Sequence, residues 1–73
     1  ELLLYPNPVT AQLYIIGDVG DVSVFDFQGR LIKIPQEEDK NGKMLNFTES
    51  QKGIYLIKMV KNGQYFTKRI IVQ

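Results

Sequence analysis

Short runs of β-branched and aromatic residues recur along the chain, and clusters of Gly, Pro, Asn and Asp separate them. Successive runs begin about 8 to 12 residues apart, a spacing typical of an all-β sandwich or barrel. The pattern predicts one domain over residues 1–73, built as an immunoglobulin-like β-sandwich of about seven short antiparallel strands. It predicts no helix longer than a turn.

The first two predicted strands cover residues 2–5 and 11–16. Between them stands the sequence Pro6-Asn7-Pro8. The two prolines lack a backbone N–H, and the residue before a proline is pushed towards extended geometry. We therefore expect Pro6, Asn7 and Pro8 to stop the first strand in an extended break.

The segment VSVFDFQGRLIKI predicts a hairpin with two possible turns. A two-residue loop would use Gln28 and Gly29, whereas a type I turn would take Asp26 as its first residue and Gly29 as its fourth. The second turn, followed by a G1 bulge, sets Asp26 opposite Arg30. We prefer it because it places only apolar side chains on one face, namely Val22, Val24, Ile32 and Ile34.

The longest polar stretch, PQEEDKNGK over residues 35–43, predicts a surface loop. Its acids Glu37, Glu38 and Asp39 are consecutive, so they would not converge as a catalytic acid and base must. A short strand is predicted next, over residues 44–47.

The last hairpin is predicted from Asn62-Gly63, which lies between two β-rich runs and suits a type I′ turn. This turn pairs Ile57 with Lys68 and makes one face apolar except for Lys68, through Tyr55, Ile57, Met59, Phe66, Ile70 and Val72. Lys68 therefore lies either at a bulge or at the margin of the sheet. The other face mixes apolar Ile54, Leu56 and Val60 with Lys58, Thr67 and Arg69, which leaves room for a contact surface.

Composition excludes several classes of function. The 73 residues include neither Cys nor His, so the commonest metal ligands, nucleophiles and general bases are missing. Asp18 and Asp21 lack the spacing of a recognised calcium loop. We expect no enzyme, no cofactor and no metal.

No run approaches the roughly 20 apolar residues of a membrane span. The start at Glu1 inside an apolar run suggests a piece of a longer protein.

Charge is distributed unevenly. Residues 1–51 carry eight acidic and four basic side chains, whereas residues 52–73 carry five basic ones and no acid. A nucleic-acid surface could use Lys58, Lys68 and Arg69 with Tyr65 and Phe66. The net charge of only +1 argues against that partner.

Three segments, LYPNPVTAQLYI, VSVFDFQGRLIK and KGIYLIKMVKNGQYFTKRIIVQ, together resemble a known family. The shared elements are the YPNP motif near the start, the Phe25-Asp26 hairpin with Gly29, the Gly53-Ile54-Tyr55 stretch, and a last strand with Lys68. Their order and spacing resemble the type A C-terminal sorting domain of the type IX secretion system of Bacteroidetes.

The resemblance implies a non-catalytic domain at the C-terminus of a larger secreted cargo protein. It implies that the cargo reaches the periplasm by a separate signal and crosses the outer membrane through a translocon. It also implies that a sortase often removes the domain and attaches the cargo to the cell surface. The cleavage junction would lie before Glu1, and the 35–43 stretch has no counterpart in the family pattern.

The resemblance places the recognition information in the last strands. Our hypothesis is that Lys68, Arg69, Ile71 and the C-terminal Gln73 contact the translocon. Structural roles are expected for the remaining motif residues, which are Pro6, Asn7, Pro8, Asp26, Gly29, Gly53, Tyr55, Asn62 and Gly63. An edge-strand homodimer of the isolated domain is a further possibility.

Two other functions remain open. A small immunoglobulin-like accessory module could bind glycan or a protein ligand beside an enzyme domain, and an exposed row of Tyr5, Tyr14 and Tyr65 would favour it. A purely structural linker domain would affect the stability of its neighbour without affecting its location.

Overall fold

The computed structural model describes residues 2–73, and within them the chain forms β-strands and no helix. The all-β prediction is confirmed. Eight strands lie in the described range: β1 (Leu3–Tyr5), β2 (Gln12–Ile16), β3 (Val22–Asp26), β4 (Leu31–Ile32), β5 (Gln36–Asp39), β6 (Gly42–Asn46), β7 (Gly53–Lys61) and β8 (Gln64–Val72). Across residues 2–73, no helix has the length and hydropathy that a bilayer span requires.

The strands form two four-stranded sheets, with the orders β1-β2-β6-β5 and β4-β3-β7-β8. Every pair of neighbouring strands is antiparallel. If the strands are lettered in the immunoglobulin manner, the first sheet is ABED and the second is CFG with one added edge strand, β4. The predicted immunoglobulin-like sandwich is thus confirmed, with eight strands where about seven were expected.

The core lies between the two sheets and follows the period-2 alternation of each strand. In β2, for example, Leu13 and Ile15 are buried while Tyr14 between them points to solvent. Full burial of a large apolar side chain contributes about 1.5–3 kcal/mol. The buried apolar residues are Val9, Leu13, Ile15, Val19, Val24, Ile34, Leu45, Phe47, Tyr55, Ile57, Met59, Ile70 and Val72.

The β3–β4 hairpin adopts the predicted turn with its bulge. The Gly29 N–H donates to the Asp26 carbonyl at 3.0 Å, and the Asp26 N–H donates to the Arg30 carbonyl at 2.9 Å. Gly29 has φ +89°, in the region that favours glycine. Val24 stands opposite Ile32, so the alternative two-residue loop is excluded.

The β7–β8 hairpin is confirmed residue by residue. Asn62 and Gly63 have φ of 53° and 76°, as a type I′ turn requires. Pairing runs without interruption from Lys61 opposite Gln64 to Gly53 opposite Val72. No bulge accommodates Lys68. The lysine is exposed because β8 is the edge of its sheet and Val9, which bridges to Val72, covers only the end of that strand, so the sheet-margin alternative is correct.

The surface-loop prediction for residues 35–43 is wrong, because this segment contains β5 and the start of β6. The predicted strand over 44–47 in fact begins at Gly42 and ends at Asn46. The Asp39 carboxylate closes the turn by accepting the N–H groups of Asn41 (2.8 Å) and Gly42 (3.0 Å). All four β5 residues are exposed, so this edge strand lacks the apolar alternation by which strands are recognised.

Candidate functional site

Tyr55 anchors the start of β7 at the crossing between the two sheets. Its hydroxyl donates to the Gln51 carbonyl at 2.6 Å, and its ring packs 5.5 Å from that of Phe47, measured between centroids. A tyrosine in this position of the lettered strand F, bonded to backbone just upstream, is the tyrosine corner of immunoglobulin-like domains. The position supports the structural role predicted for Tyr55. Gly53 is the first residue of the same strand.

Residues 7–9 lie along the outer edge of β8, a contact that the sequence did not indicate. Val9 is fully buried; its N–H donates to the Ile71 carbonyl, and its carbonyl accepts the Gln73 N–H, both at 2.7 Å. The Asn7 Oδ1 accepts the Ile71 N–H at 3.1 Å, and its Nδ2 donates to the Arg69 carbonyl at 3.4 Å. The Pro6-Asn7-Pro8 break therefore joins the start of the domain to its last strand.

The four residues proposed for translocon recognition all lie on the last strand or directly after it, and all are exposed. Strand alternation places Arg69, Ile71 and Gln73 on the outer face of the second sheet and Lys68 on the inner face. They therefore share one edge of the sandwich but not one face. The side chains of Ile71 and Gln73 are free for contact, while their backbone groups are bonded to residues 7–9.

The outer face of the second sheet is strongly apolar for an exposed surface. Its central row runs through Leu31, Phe25, Leu56 and Arg69. Leu31 is 69% exposed, and Tyr65 further along β8 is 75% exposed. The face of mixed apolar and basic side chains that the sequence predicts is thus present, and Lys58 at its centre and Arg69 at its edge give it a positive character.

One of those cations contacts an aromatic ring. The Lys58 ammonium lies 5.7 Å from the centroid of the Phe25 ring, within the range of a cation–π interaction. The lysine therefore covers part of the apolar row while its charge stays at the surface.

Asp26 has a structural role in the β3–β4 turn. Its carboxylate accepts the backbone N–H groups of Gln28 and Arg30 at 2.9 Å and pairs with the Arg30 Nε at 2.7 Å. These bonds, above all the one from the Arg30 backbone, hold the pKa of Asp26 below its usual value although partial desolvation acts against them. The role agrees with the one predicted from the turn.

Other candidate groups do not come together. Within residues 2–73 no three acidic side chains are close enough to hold a metal ion. The rings of Tyr5 and Tyr14 lie 5.6 Å apart on the first sheet. Tyr65 lies on the second sheet, and alternation turns it to the opposite side of the sandwich. The three tyrosines do not form the single row that would favour a glycan-binding module.

Comparison with protein families gives a match over residues 3–73 to the secretion system C-terminal sorting domain. The chain belongs to this family. The match covers every strand of the sandwich and includes both the 7–9 segment and β8. Comparison with curated proteins gives no match.

As a sorting domain, the chain is a C-terminal signal for type IX secretion, and it interacts with the machinery of that system on behalf of a cargo upstream of it. The family marks an exported protein that ends at the cell surface or outside the cell. It is not a family of enzymes.

Proposed function

We propose that the domain is recognised by the outer-membrane translocon through β8 and its C-terminal flank, with Lys68, Arg69, Ile71 and Gln73 making the contacts. The cargo reaches the periplasm by its own signal, and recognition of the domain then commits the cargo to cross the outer membrane. In this proposal the host is a member of the Bacteroidetes. The observation that carries the proposal is the joint exposure of these four side chains on one edge of the fold.

Electrostatics support the same surface. Residues 52–73 contain five cations and no acid, and within residues 2–73 none of these five forms an ion pair. Complementary charge speeds the encounter of two proteins and disfavours wrong partners. A cationic edge suits a signal that one receptor must recognise on unrelated cargo proteins.

We further propose that a sortase removes the domain after translocation and links the cargo to the cell surface. A cut before β1 would leave all eight strands in place, and the core is built from residues 9–72. Removal would therefore separate the cargo from a domain that keeps its own core.

The test is a fusion of residues 1–73 to the C-terminus of an exported fluorescent reporter in a bacterium with type IX secretion. A truncation after Met59 removes β8 and with it part of the core, so it reports loss of the fold together with loss of recognition. The informative variant is therefore Lys68→Glu with Arg69→Glu. Its matched control is Lys33→Glu with Lys40→Glu, which makes the same charge change at exposed positions away from β8.

We expect the intact and control fusions outside the cell and the β8 variant in the periplasm. Equal retention of the intact and truncated fusions would contradict the sorting proposal. Export of the β8 variant at the level of the control would leave sorting intact but exclude Lys68 and Arg69 as its contacts. Thermal melting of each purified domain identifies any variant that is retained because it is unfolded.

A further inference from the structure

The backbone of β8 is hydrogen-bonded to β7 along its whole length. On its outer edge, only part of the strand is hydrogen-bonded. Pairing with β7 uses the groups of alternate residues, and the groups of the intervening residues point away from the sheet. At Ile71 and Gln73 these outward groups are bonded to residues 7–9. No residue in the described range bonds the outward backbone groups of Tyr65 and Thr67.

Residues 65–69 thus form an open edge that stops where the 7–9 segment begins. Its outward groups are the N–H and C=O of Tyr65 and Thr67 and the N–H of Arg69, whose carbonyl is met by Asn7 at 3.4 Å. An exposed row of this kind can pair with an added strand. Because the 7–9 segment fills the remaining length, the added strand has a fixed end point beside Arg69.

Cations line both faces of the open edge. Lys68 is exposed on the inner side of β8, and Arg69 is exposed on the outer side. Beside the inner side lies a shallow cavity lined by Leu2, Lys61, Asn62, Gln64, Phe66 and Lys68. Alternate side chains of a strand added at this edge would enter that cavity, where an acidic group would meet two lysines.

The same charges disfavour a second copy of the chain at this edge. Two copies paired through residues 65–69 would bring Lys68 and Arg69 of each into proximity, and no acid between residues 52 and 73 offsets them. An extended acidic segment avoids this repulsion between like charges. It supplies backbone groups to Tyr65 and Thr67 and carboxylates to the flanking cations.

We propose that the open edge of residues 65–69 accepts an extended acidic segment of the secretion machinery as an added β-strand, with the 7–9 segment setting its register. This proposal rests on the proposed function and specifies the class of partner. Main-chain bonds supply affinity, and charge on both faces supplies selectivity.

The probe is a synthetic hexapeptide of sequence EEVEEV, which as a strand carries glutamate on both faces. It is titrated into the 73-residue chain and followed by amide NMR and calorimetry. We expect the shifts at Tyr65, Thr67 and Arg69 to exceed those at Ile71, whose N–H is already bonded. Binding should weaken as salt is added because the charges are exposed. A peptide with lysine in place of glutamate should not bind.

Thr67→Pro removes one outward N–H, and proline is tolerated on an edge strand. Thr67→Val keeps that N–H and serves as the control. We expect Thr67→Pro to weaken peptide binding by about tenfold, and Thr67→Val to leave it unchanged. If Thr67→Pro does not fold, Lys68→Glu with Arg69→Glu takes its place and should shift preference to the lysine peptide.

Equal binding by the two Thr67 variants would overturn the proposal, as would equal binding of the two peptides. Dimerisation of the free chain through these same amides, seen by analytical ultracentrifugation with NMR, would assign the edge to a second copy instead. Export of the Thr67→Pro reporter fusion at the wild-type level would exclude strand addition while leaving the sorting function standing. Failure of the intact fusion to be exported would instead count against the sorting function.

Discussion

Replacing Tyr55 with phenylalanine tests whether the tyrosine corner fixes the β7–β8 hairpin. The change keeps the buried ring and its contact with Phe47 but removes the hydroxyl that donates to the Gln51 carbonyl at 2.6 Å. A hydrogen bond of this kind contributes about 0.5–1.5 kcal/mol net. Gln51 is exposed, so its carbonyl can bond water instead. We therefore expect a loss of about 1 kcal/mol.

A domain of this length has a free energy of unfolding of roughly 4–11 kcal/mol, so 1 kcal/mol is measurable. It corresponds to a fall of about 4–8 °C in Tm. Tyr55→Ala also removes the ring, which typically costs about 3–5 kcal/mol for a buried aromatic residue. The alanine variant should therefore lose about three to five times as much stability as the phenylalanine variant.

The assay is thermal and urea denaturation followed by circular dichroism. Tyr14→Phe is the matched control, since the Tyr14 hydroxyl donates to the Gln12 Oε1 at 2.9 Å on the exposed face of the first sheet. We expect that control to change stability by less than about 0.5 kcal/mol. If Tyr55→Phe loses no more stability than Tyr14→Phe, the Tyr55 hydroxyl does not stabilise the tyrosine corner. If it is as damaging as Tyr55→Ala, the ring is not packed as described.

Two further changes test other points of the fold. Gly42→Ala should cost about 1–3 kcal/mol by urea denaturation, because a Cβ there would collide with the Ile15 carbonyl oxygen. Gly20→Ala is its control, because a Cβ there would make only ordinary van der Waals contacts. Equal urea midpoints for the two variants would refute the collision. Asp26 has a lowered pKa, so its stabilisation is present above the usual value of 3.8 and is lost as pH falls through the folded pKa. Asp26→Asn should therefore lower the urea midpoint at neutral pH and remove this loss of stability in acid. A urea midpoint that depends on pH in the same way in the variant and the wild type would contradict the stabilising role of the carboxylate.

Both predicted hairpins are correct because their turns are encoded locally. The spacing of Asp26 and Gly29, and the Asn62-Gly63 pair, each fix a backbone geometry that determines the register of the flanking strands. Once the register is set, alternation identifies the core face of each strand. This is why the buried residues of β7 and β8 could be predicted without any knowledge of the other sheet.

The β5 strand could not be predicted in this way. Its residues are all exposed, and its composition is that of a loop. What makes it a strand is pairing with β6, in which Glu38 stands opposite Lys43 and Asp39 opposite Gly42. These are contacts between neighbours in space, and they leave no hydrophobic period in the segment itself.

The exposure of Lys68 has a similar cause. Alternation correctly assigns it to the inner face, opposite the fully buried Ile57. Its exposure follows from two features outside β8. The strand lies at the edge of the sheet, and the 7–9 segment covers its end, where Ile70 and Val72 are buried, but not Lys68. A charge on the core face of a strand was thus a correct indication of an edge.

The contact between Asn7 and β8 joins residues more than 60 positions apart in the chain and has no local signal. It nevertheless gives the Pro6-Asn7-Pro8 motif a role beyond ending β1. The prolines keep this segment from continuing as a strand of the first sheet, and Asn7 and Val9 then cover the end of β8 in the second. The segment protects the C-terminal half of the edge from unwanted pairing and leaves residues 65–69 available. Motifs at opposite ends of the sequence therefore form one surface, and the extent of the open edge is set by both.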